Sequence, residues 1–227
     1  MAAGQFIVIE GSDGSGKGTQ FKLLAESLQA AGHAVATYDF PQYTQESSYF
    51  VREYLNGNYG SAEELGAYGP SLFYALDRFQ AAKNIRADIA AGKIVLCNRF
   101  IGSNLAHQGQ KIDDEAARKT YYDWLLNIEF NILGIPRPDL NIVLLVPAET
   151  AQKLVDQKET RGYTDKKRDI HEADLNHLQR AVATYEELCS LFPDEFTSID
   201  CTRDGQLLSI AAVHELIVAK LHSQFGF

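Results

Sequence analysis

Positive charge, cysteine, proline and long apolar runs are all scarce in this chain, and each shortage excludes something. Lysine and arginine number 21 against 30 aspartates and glutamates, a formal net charge of −9, and the sequence pI is near 5.1. Surfaces that follow nucleic-acid phosphates carry the opposite balance, so nucleic acid is not expected as a partner. Any phosphate chemistry must then rest on a few local cations. The 3 cysteines, Cys97, Cys189 and Cys201, show no metal-ligand spacing and cannot all pair. They read as reduced thiols of a cytoplasmic protein. No apolar run exceeds five residues, as in Ile142–Val146, whereas a membrane span needs about 20. An apolar strand begins by Phe6, which leaves no room for an export signal. With 6 prolines and no Pro/Gly/Ser-rich stretch, no linker divides the chain, and residues 1–227 read as a single domain.

What is present is ordinary globular material: 45% hydrophobic and 22% charged over 227 residues, enough for one α/β domain with a proper core. Gln5–Glu10 is a short apolar run suited to a strand buried on both faces. A Gly-rich turn follows, then a helix over about Lys17–Ala31 with Phe21, Leu24 and Leu28 on one face and Gly32 as its terminator. Val35–Phe40 is the second strand. A long helix from about Pro70 to the Ala-Ala-Gly92 stop precedes a third strand at Ile94–Cys97. A helix over about Asp114–Leu133 leads to a fourth strand at Asn141–Val146. A fifth strand at Phe196–Ile199 precedes a closing helix over about Gln206–His222. Ser61 and Glu64 have the spacing of a capping box opening a short helix. Short apolar strands alternating with helices predict a five-stranded parallel sheet covered on both faces. Ligands in such folds bind beyond the carboxyl ends of the strands, which singles out Gly11, Phe40, Arg99 and Asp200 as the rim of a site.

Gly11-Ser12-Asp13-Gly14-Ser15-Gly16-Lys17 lies between the first strand and the first helix. Its glycines let successive backbone N–H groups turn inward around a phosphate chain. The helix N-terminus adds partial positive charge, and Lys17 reaches the outer phosphates. Pattern and context together indicate a P-loop that binds a nucleoside triphosphate. The residue after the lysine is Gly18, with Thr19 next. A hydroxyl at the first of these positions normally ligates Mg²⁺, so the metal is expected to be held through water and the nucleotide, with Thr19 near a phosphate. The Gly-Lys-Gly-Thr order resembles the loop of the adenylate kinases.

Five further motifs follow in order: Phe40-Pro41-Gln42-Tyr43; Leu72–Arg78; Asn98–Asn104, with Gln108-Gly109 close behind; Glu129; and Gly134–Leu140. Together with the Gly-x-Asp-Gly-x-Gly-Lys loop, this set resembles the thymidylate kinases, P-loop enzymes that phosphorylate dTMP with ATP. The likeness runs in order from Phe6 to about Leu145 and implies a P-loop NTPase fold, an ATP- and Mg²⁺-dependent dTMP kinase, and a homodimer. It places ATP on residues 11–19 and thymine against Tyr74 and Arg78, which are four apart and so share a helix face. Asn104 and Gln108 supply amides to the base, and Ser103 and His107 line the nucleoside. Phe40 and Pro41 give an apolar wall, and Tyr43 directs its hydroxyl at the monophosphate. Arg99 offers bidentate recognition of the acceptor phosphate, and Asp13 lies near the sugar 3′-hydroxyl and the metal.

Residues 157–168 form the one dense basic stretch of an acidic chain, inside the segment of about 157–172 where such kinases carry a short lid. Arginines closing over a transferring phosphoryl group stabilise its charge. Position 14 is glycine, so the resemblance implies the family variant that relies on lid arginines. Arg161 and Arg168 are the candidates, ahead of Lys166 and Lys167. Cys201–Asp204 are expected to border the adenine. Three positions depart from the family pattern: Asn98 replaces an aspartate that organises metal-bound water, His107 replaces a Tyr or Phe that crowds a ribose 2′-hydroxyl, and Gln42 lacks a positive charge. Two alternatives stay open: a kinase for another nucleoside monophosphate or a deoxynucleoside, and a non-catalytic nucleotide binder suggested by Gly18 and Asn98.

Overall fold

A computed structural model describes residues 4–156 and 175–227. In chain order it contains β1 (Phe6–Gly11), α1 (Lys17–Ala30), β2 (Val35–Asp39), α2 (Tyr49–Leu55), α3 (Ala62–Leu65) and α4 (Tyr68–Ala90). There follow β3 (Ile94–Asn98), α5 (Ile101–Gly109), α6 (Glu115–Leu126), β4 (Leu140–Leu145) and α7 (Ala148–Asp156). Then come α8 (Leu175–Leu191), β5 (Phe196–Asp200), β6 (Thr202–Arg203), β7 (Gln206–Leu207) and α9 (Ile210–Phe225).

The sheet order is β2-β3-β1-β4-β5, and every pairing within it is parallel. This is the five-stranded α/β sheet that the alternation predicts. The completely buried β1 sits at its centre because Phe-Ile-Val-Ile has an apolar side chain for each face. Phe6 and Val8 face a core completed by Ile85, Leu105, Tyr121, Leu125 and Tyr185 from α4, α5, α6 and α8. Ile7 and Ile9 face the opposite core, with Leu24 and Leu28 of α1 and Val213, Ile217 and Leu221 of α9. Both layers hold the carboxyl ends of β1, β2 and β3 side by side, which is where the site forms.

Several boundaries differ from expectation for local reasons. The closing helix begins at Ile210 rather than Gln206, capped by Ser209, whose hydroxyl accepts the Ala212 N–H at 3.1 Å. Gln206-Leu207 instead pairs with Thr202-Arg203 around Asp204-Gly205, whose φ values of 52° and 74° suit the tight turn that Asp-Gly favours. At the rim, Asp200 is spent on this hairpin, accepting the N–H and hydroxyl of Thr202. The helix expected over 114–133 is α-helical only to Leu126 and then widens into a π-helical turn over Asn127–Ile132. Pro70 falls in the first turn of α4, which starts at Tyr68; there a missing N–H costs no helical bond. Ser61 and Glu64 do form the capping box that opens α3.

The cysteines are unpaired, and burial pushes Cys189 up to about 11 and Cys201 up to about 12, so both remain thiols. No helix among the described residues is long and apolar enough to cross a membrane.

Candidate nucleotide and phosphate site

The loop between β1 and α1 turns on three glycines with positive φ: Gly11 at 140°, Gly14 at 81° and Gly16 at 83°. Gly14 is required twice over, because a Cβ there would also overlap the backbone carbonyl of Ala151 in α7. No side chain, basic or otherwise, fits at position 14 in this backbone. Gly16 stands before α1 and offers no side-chain cap, so a bound anion can take up the N–H groups of the first turn. Lys17 is buried and donates to the Ser12 carbonyl at 2.6 Å, folded back over the loop. The hydroxyls of Ser12 and Ser15 are buried in the same loop with no hydrogen-bond partner. Thr19 lies two residues into α1, on its exposed side.

Beside the loop opens a cleft of about 590 Å³, part of it open to solvent. Every residue expected to bind the acceptor lines it: Asp13, Phe40, Pro41, Tyr43, Tyr74, Arg78, Arg99, Ser103, Asn104, His107 and Gln108. Leu55 and Phe100 complete the wall. The topology explains the convergence. Phe40 and Arg99 each follow the last residue of adjacent paired strands, Asp39 and Asn98 being register partners. Ser103, Asn104, His107 and Gln108 recur at helical spacing along α5, while Tyr74 and Arg78 come from α4.

Arg99 sits at the loop end of the cleft in a left-handed conformation, φ 62°. Its guanidinium pairs with Asp13 and also donates to Ser103 Oγ at 3.0 Å and to the Gly11 carbonyl at 3.4 Å. Burial alone would depress its pKa, but the surrounding groups together, Asp13 first and then Tyr185, Glu10 and Tyr43, outweigh that and raise it above the ordinary guanidinium value. It is a permanent cation. His107 Nε2 lies 3.3 Å from the same guanidinium. A guanidinium can only donate, so His107 accepts there and carries its proton on Nδ1, which faces His177 of α8 at 3.4 Å.

At the other end, Arg78 is 2% exposed and forms a two-point ion pair with fully buried Glu129. Burial depresses its pKa, and the Glu129 carboxylate more than restores it. The π-helical turn after α6 aims Glu129 inward, a recurring use of such turns. Tyr74 stands edge-on to Tyr54, with ring centroids 6.4 Å apart. Asn104 donates to the Ser71 carbonyl at 3.0 Å, leaving its buried Oδ1 without a partner, and Gln108 Oε1 is likewise unpartnered. Orphaned amide oxygens beside an aromatic wall are what the N–H edge of a base would satisfy.

Three residues were not singled out by sequence reasoning as part of the site. Glu129 was visible as a motif member without a role. Asp39 precedes the Phe-Pro pair; its carboxylate accepts the Asn98 amide at 2.9 Å. Burial raises its pKa, opposed by the Asn98 hydrogen bond and by the charges of Arg99 and Lys17. The position expected to lack a carboxylate therefore has one directly across the strand pair. Glu10 is the third; its signal is a lone charge ending an apolar strand. Arg161, Arg168, Lys166 and Lys167 lie outside the described residues. Cys201 is buried behind the hairpin.

A family model described as thymidylate kinase matches residues 9–217. The thymidylate kinase of Mycobacterium tuberculosis is 35% identical over 187 residues, covering 81% of this chain and 85% of its own length. That of Caulobacter vibrioides is 33% identical over 223 residues, covering 97% and 99%. Among solved structures, thymidylate kinase from Candida albicans superposes with a TM-score of 0.73 at 20% identity, covering 98% of this chain and 93% of that one. A second, from Ehrlichia chaffeensis, gives 0.65 at 23% identity with coverages of 96% and 99%; both show a shared fold. With most of its length matched by the family model and by relatives above 30% identity, the chain belongs to the thymidylate kinase family.

Proposed function

We propose that this enzyme transfers the γ-phosphoryl group of ATP to dTMP, forming dTDP and ADP, with Mg²⁺ required and residues 1–227 acting as one domain. The observation that carries the reading is the two-ended cleft. At one end Arg99 and the glycine loop with Lys17 converge. At the other, an aromatic wall faces Arg78 and the unpartnered amide oxygens of Asn104 and Gln108. A nucleoside monophosphate has the same polarity, with a phosphate at one end and a base at the other.

In this reading Tyr74 stacks on the thymine and Arg78, held rigid by Glu129, donates to a base carbonyl. Phe40 and Pro41 exclude water from the nucleoside, and Arg99 with Tyr43 grips the acceptor phosphate. Arg99 pairs with Asp13, and a phosphate competes for the same fork. An oxygen of that phosphate attacks the γ-phosphorus, the bond from γ-phosphorus to the β,γ-bridging oxygen breaks, and ADP leaves with the electron pair. The attacking phosphate is already ionised near neutral pH, so no general base is needed. Lys17 and the loop N–H groups hold the donor phosphates. No group of three His, Cys, Asp or Glu residues among those described is arranged to ligate a metal directly. Asp13, Asp39 and Asn98 beside the loop suit a Mg²⁺ held through nucleotide oxygens and water. When bound, the ion neutralises charge on the phosphate oxygens.

A coupled assay of ADP release with ATP, Mg²⁺ and a panel of dTMP, dUMP, dCMP and dAMP tests the reading. The highest kcat/KM is expected for dTMP. A clearly higher value for another monophosphate overturns the acceptor assignment, and ATP binding without turnover of any acceptor overturns the activity.

The same reading makes the enzyme a cytoplasmic homodimer. What supports the dimer is a stripe on α4 at i, i+4, i+7: Leu72, Leu76 and Phe79 are 39%, 47% and 46% exposed. Beside them Phe50 stacks on Phe73. Contiguous apolar surface of this kind marks protein contacts. Sedimentation should show a dimer for the unmodified chain and a monomer for Leu76→Glu; an unchanged dimer would place the interface elsewhere.

A further inference from the structure

Glu10 is a carboxylate with no surface exposure, in the central strand of the sheet. Burying such a group is costly unless its oxygens are fully hydrogen-bonded. Its donors come from two helices. Oε1 accepts the backbone N–H of Phe100 at 2.8 Å and of Ser103 at 3.0 Å. Oε2 accepts the Ser103 hydroxyl at 2.6 Å and the Tyr185 hydroxyl at 3.2 Å. Phe100 is the residue at the N-terminus of α5 and makes no side-chain cap of its own. A strand residue thus does the work of a helix cap, with its negative charge at the positive end of α5.

The residue between β3 and that cap is Arg99, in a left-handed conformation that non-glycine residues avoid. Its own N–H is held by the Ile9 carbonyl at 3.0 Å. Adjacent residues of β1 therefore pin adjacent amides, Ile9 holding Arg99 and Glu10 holding Phe100. Between them they enforce the turn that points the guanidinium back across the cleft. A second observation shows how closely the carboxylate is seated: a Cβ on Gly102 would come within 2.8 Å of Glu10 Oε1. The fourth bond ties in α8 through Tyr185, whose phenol burial keeps protonated and therefore able to donate.

We infer that Glu10 is a positioning residue for the acceptor side of the site. By capping α5 from β1 it holds Arg99, Ser103 and the rest of the α5 face at a set distance from the phosphate loop, without touching substrate. This rests on the phosphoryl-transfer reading above. It predicts damage confined to one substrate, whereas a merely structural carboxylate would lower stability without separating the two.

Steady-state kinetics on the full chain test it with three variants. Glu10→Met cannot accept a hydrogen bond and should raise KM for dTMP at least tenfold while KM for ATP stays within twofold. Glu10→Gln retains an acceptor oxygen for both amides and should stay within about threefold of the unmodified enzyme. Gly102→Ala, which displaces the carboxylate without removing it, should move KM for dTMP in the same direction as Glu10→Met and decides the matter if that variant fails to fold. KM for dTMP within twofold in folded Glu10→Met or, failing that, in Gly102→Ala overturns the inference. A parallel rise in both KM values overturns it too, as does Glu10→Gln being as impaired as Glu10→Met. Failure of the functional reading is separable, because it would remove turnover from the unmodified enzyme. In that event amide exchange without any ligand still reads the positioning. The Phe100 and Ser103 amides should exchange at least tenfold faster in Glu10→Met, or in Gly102→Ala if that variant stands in, and unchanged protection overturns the inference.

Discussion

Arg161→Ala and Arg168→Ala should produce the largest loss of activity available outside the phosphate loop, with kcat for at least one falling by about 10³–10⁵. The argument starts at position 14. The loop backbone leaves no room there for a second basic side chain, because any Cβ meets the Ala151 carbonyl. Lys17 lies on the donor side, and Arg99 is committed to Asp13 or to the acceptor phosphate. Charge spreading over the transferring group must then be met from elsewhere. The chain between α7 and α8 has the cations, and both of its anchor points adjoin the site: Ala151 of α7 touches the loop, and His177 of α8 stacks on His107. An interaction formed only in the transition state lowers kcat and leaves KM nearly unchanged. Arg→Lys should recover little, since an ammonium cannot bridge two oxygens as a guanidinium does. Stopped-flow or steady-state turnover checks this; both alanine variants within about threefold of normal kcat, under ~1 kcal/mol of barrier, would reduce the segment to a solvated basic loop.

Glu129→Ala should have the largest effect on stability. The Arg78–Glu129 pair has side-chain exposures of 3% and 0%, so losing the carboxylate strands a guanidinium inside the protein. Breaking one side of such a pair costs roughly 3–5 kcal/mol, and for a chain of this size each kcal/mol is worth about 2–4 °C in Tm. A fall of about 6–20 °C by calorimetry is expected, together with weakened dTMP binding. The double variant Arg78→Met/Glu129→Leu should be more stable than Glu129→Ala alone, because no buried charge remains unpaired, yet it should not bind dTMP. A Tm within about 2 °C of normal for Glu129→Ala would show that Arg78 finds another partner.

Much of this was legible along the chain because it is local. The strands announce themselves as apolar runs bounded by turns, and the phosphate loop is a contiguous motif whose glycines are dictated by backbone angles at Gly11, Gly14 and Gly16. Tyr74 and Arg78 share a helix face by spacing alone. The chain reading erred where the deciding partner is distant or the pattern ambiguous. A helix drawn from Gln206 runs straight into α9, but Asp204-Gly205 turns the chain back and Gln206-Leu207 joins a hairpin instead. The widening after Leu126 goes with the burial of Glu129 against Arg78, a partner 51 residues away that the local pattern does not announce.

By itself, then, the order of residues determined the strand and helix alternation, the parallel sheet and the phosphate loop, and its motifs, through their resemblance to the thymidylate kinases, pointed to the side chains that line the cleft apart from Leu55 and Phe100. Only the tertiary structure decided who holds whom. Asp39 faces Asn98 because β2 and β3 pair in one register, Glu129 reaches Arg78 across 51 residues, and Glu10 caps α5 by accepting the N–H of Phe100, 90 residues later. A carboxylate's hydrogen-bond partners depend on which donors packing brings within about 3 Å, and no periodicity in sequence encodes that distance.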